Sequence, residues 1–282
     1  MAEQRRHPAG VAALPARVAS RTRTARESHA SVDVAFDAFE RDDQVGGGII
    51  AGALAYRLFI WLLPLALVLV AGLGVMADAT SESPRQVARS VGLLGLVSGS
   101  VASAAKSPSR WYALVVGISL LLFAPSSLLR ALAGAHRLVW RDVGARTRPT
   151  PAATARLLVL ALCFFLVSAG AAAVRARTPG IGVAVTLIAI VPYALLWLAV
   201  SARLPHLDAD TRALVPGAIV FGIGVEVIHA AAVYVLGPWA LSKQGTYGAL
   251  GLAAALLTGL FLLSRLAVGA AVLNAALWER RT

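Results

Sequence analysis

The stretch from Gly46 to Met76 constrains this chain more than any other. It runs for some thirty residues with a single formal charge, Arg57. About 20 apolar residues suffice to cross a bilayer as a helix, so the stretch predicts a membrane span. Three features distinguish it from a simple anchor. Gly48 and Gly52, and Ala51 and Ala55, are small residues four apart, a spacing that lets a second helix approach closely. Pro64 removes a backbone donor within the span. Arg57 places a cation where hydrocarbon is expected, which is costly unless it meets a partner or water. Together they predict one member of a packed bundle.

The rest of the chain extends this reading. Of 282 residues, 58% are hydrophobic and 14% charged, with a mean hydropathy of +0.74. Soluble domains carry roughly 25% charged residues. The expected fold is all-α, a polytopic membrane bundle of six transmembrane helices. The spans are read at about 49–75, 111–133, 157–174, 181–202, 213–236 and 249–277. Residues 1–30 read as a disordered basic tail, and 31–282 as the membrane domain. Val32, Phe36 and Phe39 share one helical face in the segment from Ser31 to Asp43. That helix has two placements open to it: on the membrane surface, or tucked against the end of the bundle. The apolar run from Val91 to Ala105 is too short for a span and reads as part of a helical loop between spans 1 and 2.

Six spans put both termini on one side. Roughly two thirds of the 26 Lys and Arg fall on that side, which predicts cytoplasmic termini. The net charge of +12 is then a matter of topology, and no nucleic-acid partner is expected. A single cysteine, Cys163, excludes an internal disulfide. No P-loop is present, which argues against ATP hydrolysis. No metal, cofactor or catalytic group is expected, and the chain does not read as an enzyme.

The candidate site rests on charges inside spans. Glu226 is an acid deep in span 5, and His229 lies one turn on along the same face. Arg57 in span 1 and Arg265 in span 6 fall at depths that would let them share a cavity with Glu226. The sharper reading pairs Glu226 with one of these arginines and leaves the other for a phosphate or carboxylate. The plainer reading is a structural ion pair, with the second arginine reaching toward an interface. Asn274 and the glycine and alanine pairs, including Gly95 and Gly99, read as helix-packing devices. Prolines 64, 125 and 192 leave backbone carbonyls free inside spans, a feature of discontinuous helices that line transport sites, though proline is also common in membrane helices generally.

Several stretches resemble one family. Ala51 to Leu69 is similar to the first span of the YihY/virulence factor BrkB family. Arg212-Ala213-Leu214-Val215-Pro216-Gly217-Ala218 and Tyr247-Gly248-Ala249-Leu250-Gly251, with the closing Asn274-Ala275, resemble its later motifs. The resemblance covers roughly residues 32–279. Arg57 stands where the family often has Tyr, Gly259 or Leu260 where it often has Trp, and Val272 where it often has Glu. A mechanism built on that Glu would not carry over. The resemblance implies a six-span protein of the bacterial inner membrane. Some members are linked to virulence or envelope lipid transport, and members were once labelled a tRNA-processing ribonuclease. The expected function is a transporter or translocator of an anionic lipid or other envelope amphiphile. The alternative is a non-transporting scaffold for envelope assembly, with membrane lipids and envelope proteins as partners.

Overall fold

A computed structural model describes residues 30–80, 107–142, 144, 150–177, 179–236 and 249–281. The basic tail, the loop at 91–105, and Gly95 and Gly99 with it, lie outside the described residues. Seven helices follow in order: α1 Ala30–Val45, α2 Gly47–Thr80, α3 Arg110–Trp140, α4 Pro151–Arg177, α5 Gly182–Ser201, α6 Val215–Ala231 and α7 Ala249–Glu279. Short 3-10 turns stand at Pro179–Ile181 and Thr211–Leu214, and a π-helical turn, Ala232–Leu236, follows α6. There is no strand among the described residues. Helices α2 to α7 are each long and apolar enough to cross a membrane. The protein is therefore an all-helical bundle of six such helices.

The helices form a ring in the order α3, α2, α7, α6, α5, α4, and α3 meets α4 over a short stretch to close it. Between membrane helices the hydrophobic effect gives little net drive, so contact depends on small residues and polar links. The alanines of α7 supply the first. Ala267, Ala270, Ala271, Ala275 and Ala276 are all buried. On one side they meet Ala51 and Leu54 of α2 and Val139 and Trp140 of α3. On the other they meet Phe221 and Val225 of α6 and Tyr193 and Trp197 of α5.

Asn274 supplies the polar link. Its Nδ2 donates to the carbonyl of Leu214 at 3.1 Å, and the amide of Gly217 donates to its Oδ1 at 2.7 Å. The first turn of a helix has backbone donors without an internal partner, and here α7 supplies an acceptor for α6. Gly217 has no room for a side chain, because a Cβ would strike the Ala270 carbonyl and Asn274. Gly222 likewise seats α6 on α5, where a Cβ would lie 2.5 Å from the Ile190 carbonyl.

Two packing expectations are corrected. Ala51 and Ala55 are buried as expected of a close seam, but Gly48 and Gly52 face open space. The small-residue pattern occurs in two registers one residue apart, and only one faces the bundle. Pro64, Pro125 and Pro192 all lie inside unbroken helices. Among the described residues, irregular backbone stands at the two ends of one span, the 3-10 turn before α6 and the π-helical turn after it, and neither contains a proline.

Helix α1 is tucked against the end of the bundle, the second of its two expected placements. Arg41 is buried, donates to the Val139 carbonyl at 2.9 and 2.6 Å, and pairs with Glu279. Arg280 bridges Asp33 and Asp37. Asp37 first, and Asp33 after it, hold the Arg280 guanidinium more firmly charged than usual. The first and last described helices thus end on one face, here termed the terminal face. The opposite end, where Arg110 pairs with Asp78, is the far face.

Candidate functional site

At the centre of the ring lies a cavity of about 330 Å³, reached by all six long helices. Each contributes side chains at helical spacing. Leu54, Leu58, Trp61 and Leu65 come from α2, and Leu157, Leu160, Phe164 and Ser168 from α4. Trp197, Phe221 and Leu263 close the remaining sides. Steps of three and four residues keep one stripe of a helix on one side, so the lining follows from the sequence pattern. The wall is apolar apart from a few polar atoms. Ser264 Oγ, Trp61 Nε1 and Trp197 Nε1 are buried without a hydrogen-bond partner among the described residues. Such a group costs about 1–3 kcal/mol when left unmet.

A polar network stands between this cavity and the far face. Ser168, on the cavity wall, shares a 2.9 Å hydrogen bond with Tyr193 Oη, and its Oγ donates to the Phe164 carbonyl. Two turns farther along α4, Arg175 Nη2 donates to Glu226 Oε2 at 2.7 Å and to Thr186 Oγ1 at 3.1 Å. Arg175 Nη1 lies 3.0 Å from His229 Nε2. Arginine has only donors, so His229 accepts there through an unprotonated Nε2. The pair is well enclosed, with the Arg175 side chain 18% and that of Glu226 5% exposed. Glu226 Oε1 has no hydrogen-bond partner among the described residues.

The structure thus brings together two of the four candidate residues, Glu226 and His229, and sets the other two elsewhere. Arg265 pairs with Asp42, its Nη1 donating at 2.6 Å. Arg57 is exposed and donates to Ser127 Oγ on α3. The expected pairing of Glu226 with Arg57 or Arg265 is therefore wrong, and its partner is Arg175. The physical reason lies in α4. A fall in hydropathy places Arg175 and Arg177 in a turn, but the helix continues to Arg177. Phe164, Ser168, Ala171 and Arg175 follow steps of four, three and four, which carry Arg175 round to the inner face. That stripe was the signal for Arg175. On α5 the series Thr186, Ala189, Tyr193 and Trp197 marks Thr186 and Tyr193 in the same way.

This arrangement can accept an apolar chain in the cavity and hold a charge balance at its far side. Among the described residues no three His, Cys, Asp or Glu side chains converge as a metal site would require. The family model for virulence factor BrkB matches residues 38–282. The chain belongs to the virulence factor BrkB family. Neither the curated proteins nor the solved structures contain a match to it. Membership and the six apolar helices together make this BrkB-family chain a multi-pass integral membrane protein.

Proposed function

We propose that this protein is a transporter or translocator of an anionic lipid or a related envelope amphiphile, in the inner membrane of a bacterium, with both termini cytoplasmic. The observation that carries the reading is the central cavity. Ligand pockets run from about 300 to 1,000 Å³ and are mostly apolar with few polar groups. The volume of about 330 Å³ falls at the lower end of that range, suited to part of an acyl chain rather than a whole lipid. Water needs two to four polar partners to occupy a site, and this wall has few. The lysine and arginine bias toward the terminal face supports the orientation. The work asked of the chain is movement of an intact molecule, without covalent chemistry.

The test is a translocation assay in reconstituted vesicles. Phosphatidylglycerol labelled on its acyl chain is scored by the fraction open to a membrane-impermeant reductant. The protein is expected to speed exchange over protein-free vesicles, and Ala161→Phe, which fills the cavity, to remove the gain. Exchange at the protein-free rate would sink the transport reading and favour the scaffold.

A further inference from the structure

A second depression, of about 200 Å³, lies at the terminal end of the seam between α3, α4 and α5. Leu129 of α3 forms one side. Ala153, Arg156, Leu157 and Leu160 of α4 form another, and Val200, Arg203 and Leu204 complete it. Leu157, Leu160 and Val200 also line the central cavity, so the two volumes share a wall. The two charged groups on the depression are both cations, and no carboxylate lines it.

We propose that Arg156 and Arg203 hold the phosphate of a lipid whose acyl chain enters the central cavity past that shared wall. The proposal rests on the reading of the cavity as an acyl-chain site and adds the class of lipid, one with an anionic phosphate headgroup. Three observations support it. The first is position. Arg156 stands immediately before the apolar run that begins at Leu157, and Arg203 follows the end of α5 at Ser201. Both therefore stand where hydrocarbon gives way to headgroups. The second is availability. Arg203 Nη1 donates to the Ala199 carbonyl at 2.5 Å, which fixes the side chain and leaves its other nitrogens. Among the described residues neither arginine forms an ion pair within 4 Å, whereas Arg175, Arg265 and Arg280 all do. The acids nearest Arg203 in sequence, Asp208 and Asp210, lie on the loop after it. Asp210 Oδ1 is engaged by the amide of Ala213 at 3.0 Å. The third is chemistry. Guanidinium groups match phosphate oxygens with paired, charge-assisted hydrogen bonds.

The seam also accounts for the way in. The ring closes most thinly where α3 meets α4, and the depression sits on that closure. A lipid in the adjoining leaflet would bring its phosphate to the two arginines while its chain faces Leu157 and Leu160.

Binding and movement are measured separately on the full-length chain. For binding, phosphatidylglycerol or phosphatidylcholine with brominated acyl chains is added in detergent, and quenching of tryptophan fluorescence is read. Trp61 and Trp197 on the cavity wall are the expected reporters. The intact chain is expected to prefer phosphatidylglycerol. The double variant Arg156→Gln, Arg203→Gln should bind it at least about tenfold more weakly, the loss expected from even one charge-assisted hydrogen bond, with phosphatidylcholine binding unchanged. Arg156→Lys with Arg203→Lys should restore part of the preference. A double variant that keeps the full preference overturns the headgroup site, whatever the vesicles do. Inorganic phosphate that displaces the brominated lipid as well as a phospholipid does would also overturn it, since the site would then hold a free anion. Preferential binding that the double variant loses, without translocation by the intact chain, leaves the headgroup site standing and removes the transport reading beneath it.

Discussion

The Arg175–Glu226 pair allows a quantitative test of the polar network. Removing one partner from a buried ion pair costs about 3–5 kcal/mol, because the other charge is left stranded. Replacing both with apolar groups of similar volume is often close to neutral. Here the two sides are unequal. Glu226→Leu leaves Arg175 with Thr186 and His229 still in reach. Its cost is expected at the lower end, about 3 kcal/mol. Arg175→Leu leaves Glu226 without the guanidinium that binds Oε2, and Oε1 has no partner to compensate. Its cost is expected in the same range. The double variant should lose about 1 kcal/mol or less, which gives a coupling energy of several kcal/mol, at or above the top of the range usual for contacting pairs. Stability is to be read by reversible unfolding in mixed micelles, with all four proteins in one lipid background. Polar contacts between membrane helices have averaged only about 0.6 kcal/mol in such cycles. A coupling at that level would refute the reasoning, since it would mean that water reaches the pair in the native bundle.

Further outcomes follow from the packing. Gly217→Ala should destabilise by about 1–3 kcal/mol, because its Cβ would meet the Ala270 backbone, whereas Gly48→Ala should be nearly silent; thermal unfolding in detergent compares the two. Asn274→Ala should cost about 1–3 kcal/mol by stranding the Gly217 amide and the Leu214 carbonyl, and should lower the unfolding temperature even in variants that no longer move lipid. Ala161→Phe should slow lipid exchange to near the protein-free rate while leaving the melting temperature close to that of the parent, since the added ring enters existing space.

The membrane bundle was legible because it depends on run length and charge, both local properties of a sequence. Glu226 was equally legible, as an acid within an otherwise apolar stretch. Its partner was not, because depth along a helix says nothing about which helices are neighbours. Arg265 lies at a plausible depth, yet α7 presents it to Asp42, 223 residues away in sequence. Arg57 falls on the outer side of α2, one residue from Leu58 on the cavity wall. A rotation of 100° per residue separates a cavity-facing group from an outward one, and hydropathy averaging removes that angle. Arg175 was misplaced for a related reason. Charge lowers local hydropathy and so marks the end of a span, although the backbone has no cause to stop there. The helical stripe through Phe164, Ser168 and Ala171 carried the missing information. It becomes decisive once Glu226 on another helix is known to face it.

The distribution of burial sharpens the mechanical argument. Tight contacts gather around α7, where alanine lets α2, α3 and α6 approach. Helix α4 stands at the other extreme: none of the apolar window of its span is buried, whereas each of the other five spans has a buried share. Yet α4 carries Phe164 and Leu160 on the cavity, Arg156 on the seam and Arg175 in the far network. A wall with little buried surface loses little by moving. Arg175 ties its far end to α5 and α6 by charge-assisted hydrogen bonds, and α4 packs along α5 but meets α3 only over a short stretch. Displacement about the tied end would therefore open the seam at Arg156 before it disturbed the ion pair. Under the proposed transport function the Arg175 cluster would anchor α4 at its far end, and Arg156 would meet the lipid near its terminal end.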